Sequence, residues 1–285
     1  MAKHTVGSHL VNFKVIQSGS VVELIHYSKG YLKGFNITPS SGQVESEEIE
    51  DDLVVGKEVE QVEDVEEPES RESIMIRSSK RASKALVRIV NSNVNTYGKQ
   101  KKAKFVTLTF AEHVTDLDVA NKYFTAFIRR FNAYITGNSK KVIKYSAVWE
   151  LTKIGRIHYH VVFYNLPYIK AKKINEIWAN GNINIRAIDN YENVGQYIAK
   201  YMTKPDKRYL DEKYLGKKRY FSSRGLKKPL EITDPKLVIK AIISIYSSNV
   251  EPSYSYTYES DELGLITYQS FIIPNLNILS TLYQS

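Results

Sequence analysis

Two histidines flank one bulky residue, His158-Tyr159-His160, inside the apolar run Ile157-His158-Tyr159-His160-Val161-Val162-Phe163. A strand has period two, so both imidazoles leave one face, one pleat apart, and Tyr159 points to the other. Two nitrogens so placed can ligate one metal ion. Alone the pattern is weak, because a His-x-His on a strand is as readily a solvated face. The preceding residues supply a third donor. Segments 143–151 and 156–164 read as strands joined by Thr152-Lys153-Ile154-Gly155, a hairpin. A turn centred on Ile154 sets Glu150 opposite His158 and Val148 opposite His160. Cross-strand neighbours share a face with Cβ atoms about 4.5–5.5 Å apart. One carboxylate and two imidazoles then make a three-ligand set with positions left for water and a substrate oxygen. A slip of one residue would break the set and leave Glu150 a surface carboxylate.

A second group of residues could do covalent chemistry. Residues 191–204 read as a helix stopped by Pro205. Tyr197 and Tyr201 are four apart on one face, with Lys200 and Lys204 flanking them. A tyrosine oxygen can attack a phosphodiester and hold the cut end as a phosphotyrosine, which keeps the bond energy for resealing. Its ordinary pKa near ~10 requires help from a cation or a metal-polarised phosphate. The plainer alternative is a pair of amphipathic rings packing at a surface.

Other elements must position these groups. Lys104-Phe105-Val106-Thr107-Leu108-Thr109-Phe110 alternates as a strand. Residues 116–135 carry Leu117, Ala120, Phe124, Phe127, Ile128 and Phe131 at helical spacing, a core stripe. A short helix over 171–179 ends at Asn180-Gly181, and 183–188 alternates as a strand. Residues 73–94 suit a helix with Arg77, Lys80, Arg81, Lys84 and Arg88 on one face and Ala82, Leu86, Ile89 and Val90 on the other. That basic face reads equally as a phosphate-contacting surface or as a solvated one. Short strands are expected over 9–36, a helix over 235–248 and a hairpin around 254–268.

Charge narrows the partner. The chain is +9 overall, yet 14 of its 31 acidic residues fall between Glu45 and Glu72, beside only two of its 40 basic ones. The remainder holds 38 basic against 17 acidic residues, near +21. Such a charge fits an anionic partner, and nucleic acid leads. The acidic stretch reads as a flexible, solvated insertion. No cysteine is present, which excludes disulfides and thiolate zinc sites. No apolar run approaches the ~18 residues of a membrane span. The start, Met1-Ala2-Lys3-His4, is not followed by a signal-peptide core. A cytoplasmic location without membrane association is expected.

Phe105-Val106-Thr107-Leu108-Thr109-Phe110, then Glu150 with His158-Tyr159-His160, then Tyr197-Ile198-Ala199-Lys200-Tyr201-Met202-Thr203-Lys204, resemble three ordered motifs. They are those of the HUH rolling-circle replication initiators of small single-stranded DNA phages and plasmids. The two-tyrosine third motif is most similar to initiators of icosahedral phages, and Trp178-Ala179-Asn180-Gly181 is also familiar from them. The resemblance covers roughly residues 74–230. It implies His158, His160 and Glu150 as ligands of Mg²⁺ or Mn²⁺, and Tyr197 as first-choice nucleophile. Tyr201 would be the second, and Lys200 would stabilise phosphate charge. Partners implied are single-stranded origin DNA and a host helicase and polymerase. Tyr159 departs from the purely hydrophobic slot and brings a hydroxyl that needs a partner.

The expected fold is α+β: a central antiparallel sheet with flanking helices, ferredoxin-like or RRM-like, with N- and C-terminal strand additions. Four segments are expected: a β extension (1–40), the acidic insertion (41–72), an endonuclease domain (73–230), and a C-terminal helix and hairpin packing on that domain (231–285). The expected activity is site-specific nicking and joining of single-stranded DNA through a 5′-phosphotyrosine. Two rivals stand: an HUH transposase or relaxase, and a non-catalytic DNA-binding regulator. The chain length argues against a relaxase with a fused helicase, and the paired tyrosines against a single-tyrosine transposase.

Overall fold

Alternation becomes strands and helical spacing becomes helices in the order the sequence suggests. The chain runs β1 (His9–Ser18), β2 (Val21–Lys33), α1 (Arg71–Asn93), β3 (Lys104–Phe110), α2 (Leu117–Thr136), β4 (Tyr145–Leu151) and β5 (Ile157–Phe163). It continues through α3 (Ala171–Trp178), β6 (Gly181–Ala187), α4 (Val194–Thr203), β7 (Tyr220–Ser222), β8 (Leu230–Ile232), α5 (Pro235–Tyr246), β9 (Tyr254–Ser260) and β10 (Gly264–Ile272). The structure, a computed structural model, describes residues 9–33, 71–98, 103–188, 193–203, 206–274 and 278. The acidic insertion, apart from its last two residues, and Lys204 lie outside the described residues. The chain divides into two units, Val65–Lys228 and the combination of Met1–Asp64 with Pro229–Ser285.

The Val65–Lys228 unit holds a five-stranded antiparallel sheet in the order β6-β3-β5-β4-β7. The run β3-α2-β4-β5-α3-β6, with β5 between β3 and β4, is the ferredoxin-like arrangement expected of the α+β class. Both faces are covered. On one, Val106, Leu108, Trp149, Tyr159, Val161 and Phe163 pack with Phe124, Phe127 and Phe131 of α2 and Trp178 of α3. On the other, Phe105, Val148 and Val162 pack with Leu86 and Val90 of α1 and Ile198 and Met202 of α4. Two-sided burial explains why β5 is almost continuously apolar. A fully buried Phe contributes about 1.5–3 kcal/mol, so the α2 stripe Phe124-Phe127-Phe131 is a principal anchor of the sheet. Tyr159 sits on the α2 face, and its hydroxyl donates to Asn121 Oδ1 at 2.8 Å. That is the partner its chemistry demands.

The helix expected to stop at Asn180-Gly181 stops one residue sooner. Its left-handed cap is Ala179, with φ 57°, and the Ala179 N–H donates to the Asn175 carbonyl. Gly181 serves another end: a Cβ there would collide with the carbonyl of Thr109. The close approach joins the start of β6 to the end of β3.

The second unit has its own antiparallel sheet, β8-β1-β2-β10-β9. Val15, Val22, Leu24 and Phe271 pack there with Val238, Ala241 and Ile245 of α5. Residues 1–40 and 231–285 read in sequence as separate additions, whereas their strands pair with each other, Tyr27 opposite Ile266. Pairing between segments so far apart leaves no local signature. Among the described residues no helix is long and apolar enough to cross a membrane.

Candidate active site

The β4–β5 hairpin has the expected register, Glu150 opposite His158 and Val148 opposite His160. The turn is pinned from outside. Arg208, paired with Asp206 at 2.6 Å, donates to the carbonyls of Thr152 at 2.8 Å and Lys153 at 3.2 Å. Glu150 Oε2 lies 3.0 Å from His158 Nε2 and 2.9 Å from His160 Nε2, and the two nitrogens are 3.2 Å apart. Glu150 and His160 are buried and His158 half-buried. Three lone-pair atoms meeting so closely need a proton or a cation between them. Donors about 2.1 Å from an octahedral ion and at right angles lie about 3.0 Å apart, whereas tetrahedral donors lie about 3.3 Å apart. The three can hold a metal ion, and their spacing matches one face of an octahedron. An open cleft borders Glu150 and His158, lined also by Lys153, Asp206, Arg208 and Tyr209.

Thr107, opposite His160 on β3, sets the imidazole: its Oγ1 lies 3.2 Å from His160 Nδ1. An Nδ1–H donated to that hydroxyl leaves the Nε2 lone pair facing Glu150, the tautomer a ligand needs. Thr107→Val is expected to weaken Mn²⁺ binding about tenfold in calorimetric titration. Unchanged affinity would remove Thr107 from this role.

Helix α4 carries the tyrosines over the same sheet face. Asn193 Oδ1 accepts from the Gln196 N–H at 2.9 Å, an N-cap. Asn91 of α1 donates to Asn193 Oδ1 at 2.9 Å and accepts from the Gly195 N–H at 2.7 Å. At Gly195 a Cβ would strike the Val87 carbonyl, so α4 rests directly on the α1 backbone. Gly195→Val is expected to lower the unfolding free energy by about 2–3 kcal/mol, measured by urea denaturation. A wild-type midpoint would contradict the close packing.

The Tyr201 ring stacks on His160, centroids 3.6 Å apart at 18°. Tyr197 stands edge-on to Phe105 at 5.0 Å, with Lys200 Nζ 3.8 Å from its ring centroid. Tyr201 is pushed well above the ordinary tyrosine value, first by burial and then by its hydrogen bond to Tyr197 and the Glu150 charge. Burial also acts upward on Tyr197. The Tyr201 hydrogen bond, the Lys200 charge and the hydrogen bond and charge of Arg186 outweigh it and hold Tyr197 below the ordinary value.

The structure thus brings Glu150, His158, His160, Tyr197, Lys200 and Tyr201 to one sheet face. Arg77, Lys80, Arg81, Lys84 and Arg88 lie on α1, Arg81 exposed and the other four half-buried. Two cations near the site escaped the sequence reading. Arg186 comes from β6. Arg219 lies with Cζ 3.5 Å from the Tyr209 ring centroid and 5.1 Å from that of Trp149, and its Nη2 donates to the Tyr201 carbonyl at 3.2 Å. A cation at that last turn of α4 suits the helix dipole.

Comparison with known proteins bears on the same residues. Residues 103–206 match the model of a family of replication-associated proteins, the ORF2 type. The matched stretch runs from before β3 to beyond α4 and contains all six site residues. The chain is also similar to the phasyl DNA replicon protein arp of Escherichia coli, with 31% identity over 153 residues, covering 44% of this chain and 51% of that protein. The chain therefore spans about half the length of the curated relative it matches. No solved structure matches.

Proposed function

We propose that this chain is a rolling-circle replication initiator of the two-tyrosine HUH type. It nicks and rejoins single-stranded origin DNA through a 5′-phosphotyrosine, with Tyr197 as nucleophile. The observation that carries the reading is the stack of Tyr201 on His160, centroids 3.6 Å apart, which ties the three-donor cluster to the tyrosine helix. The match to a replication-associated family over the same residues supports it.

Glu150, His158 and His160 would hold Mg²⁺ or Mn²⁺; an octahedral face with two imidazoles and one carboxylate suits either. When bound, the ion draws charge from a phosphate oxygen. The chain's own residues do the rest. Tyr197 Oη bonds to phosphorus as the bond from phosphorus to the 3′ oxygen breaks. The phenolic proton leaves to water, and the 3′ oxygen takes a proton from water. Lys200, over the Tyr197 ring, holds the ring by a cation–π contact. Arg77, Lys80, Arg81, Lys84, Arg88 and Lys204 would contact DNA phosphates. Unwinding and synthesis fall to a host helicase and polymerase, in the cytoplasm.

The test uses a pool of random-sequence single-stranded DNA with Mg²⁺ or Mn²⁺, and denaturing gels that retain only covalent complexes. The wild-type chain is expected to yield a protein–DNA adduct whose DNA can be sequenced and resynthesised. Binding without any adduct in either metal would leave a non-catalytic DNA-binding regulator.

A further inference from the structure

We propose that Arg186, on edge strand β6, is a catalytic residue: its guanidinium holds the Tyr197 oxygen and remains on it as that oxygen bonds to phosphorus. The inference rests on Tyr197 as nucleophile and adds a group that none of the three motifs contains.

Register places the side chain. In the β3–β6 ladder Arg186 stands opposite Phe105, and directly opposed residues of an antiparallel pair share a face. Phe105 packs in the cluster with α1 and α4, and its ring meets Tyr197 edge-on at 5.0 Å. Along β6 the alternate residues Ile183 and Ile185 pack toward the α2 core, so Arg186 projects to the tyrosine side. Its contact there is with the Tyr197 hydroxyl, by both hydrogen bond and charge. Arg186 is otherwise exposed, so no packing duty accounts for it.

The motif's own cation occupies a different place. Lys200 Nζ sits 3.8 Å from the Tyr197 ring centroid, over the ring face. The oxygen end is left to Tyr201 and Arg186. During attack, negative charge passes from Oη to the phosphate oxygens. A planar guanidinium can keep one N–H on Oη and offer another to a non-bridging oxygen, a fork that an ammonium lacks. Arg186 gains and loses no proton in the step, and the bonds made and broken at phosphorus are those given above.

The experiment measures single-turnover adduct formation on the oligonucleotide recovered from the random pool. Affinity for the same DNA is measured without metal by fluorescence anisotropy. Arg186→Gln is expected to slow the adduct about 100-fold, the scale of removing one preorganised donor. Affinity should change by less than about threefold, since the loss is of an interaction made in the transition state. Arg186→Lys should recover about tenfold of the lost rate, because charge returns without the fork. A wild-type rate in Arg186→Gln would overturn the assignment. So would rate and affinity falling together, which marks a plain phosphate contact. A wild-type chain that yields no adduct fails earlier, and with it fails the endonuclease reading itself.

Discussion

Tyr197→Phe is expected to abolish the covalent DNA adduct, a loss of at least about 10⁴-fold, the scale on which removing a nucleophile acts. Tyr201→Phe is expected to keep the adduct and slow it. The two rings sit one turn apart yet in unlike surroundings. Tyr197 has Lys200 over its face, two hydrogen-bonding partners at its oxygen and a pKa held below the ordinary value. Tyr201 is stacked on a buried imidazole and raised by burial, by Tyr197 and by Glu150. At neutral pH the readier phenolate precursor is therefore Tyr197. Tyr201 donates to that oxygen and fixes it, so its phenylalanine variant loses a positioning contact, not the nucleophile. Denaturing gels on the recovered oligonucleotide separate the cases. An adduct that survives in Tyr197→Phe and vanishes in Tyr201→Phe would reverse the assignment.

His160→Ala is expected to remove Mn²⁺ binding and adduct formation together. A ligand contributes more than an outer partner, whose loss already costs about 10–100-fold in affinity. His160 also has two further contacts, the Thr107 hydroxyl on one side and the Tyr201 ring on the other. Glu150→Gln keeps the shape and removes the charge, so it should lose most metal affinity while leaving α4 in place. Calorimetry with Mn²⁺ checks the first loss, and circular dichroism checks that the fold persists. Chelation of wild type by EDTA should stop adduct formation, and added Mn²⁺ should restore it. Wild-type Mn²⁺ affinity in His160→Ala would dismiss the cluster as a metal centre.

Local spacing carried much of this site. The Glu150–His158 pairing follows from one short hairpin turn, and the Tyr197–Tyr201 pair from a single helical turn. Both lie within reach of period-two and 3.6-residue reasoning. Arg186 was not legible because its place depends on sheet order, which sets β6 beside β3. Gly195 reads as an ordinary helix residue until the α1 backbone appears beside it. Arg219 lies in a lysine-rich stretch, and nothing in its neighbours distinguishes the one cation folded onto Tyr209 and Trp149. The terminal strands were recognised as strands, but their mutual pairing spans nearly the whole chain.

That long-range pairing sets a timetable for synthesis. A ribosome releases β1 and β2 first, yet the neighbour of β2 across the sheet is β10, the last strand made. Through most of translation β2 presents an unpaired edge, the kind of template on which nascent chains aggregate. The site-bearing sheet waits for nothing so distant, since all its strands lie between β3 and β7. Contacts local in sequence close sooner. The nascent protein therefore has the means to assemble its chemistry while its older end is still waiting for a partner.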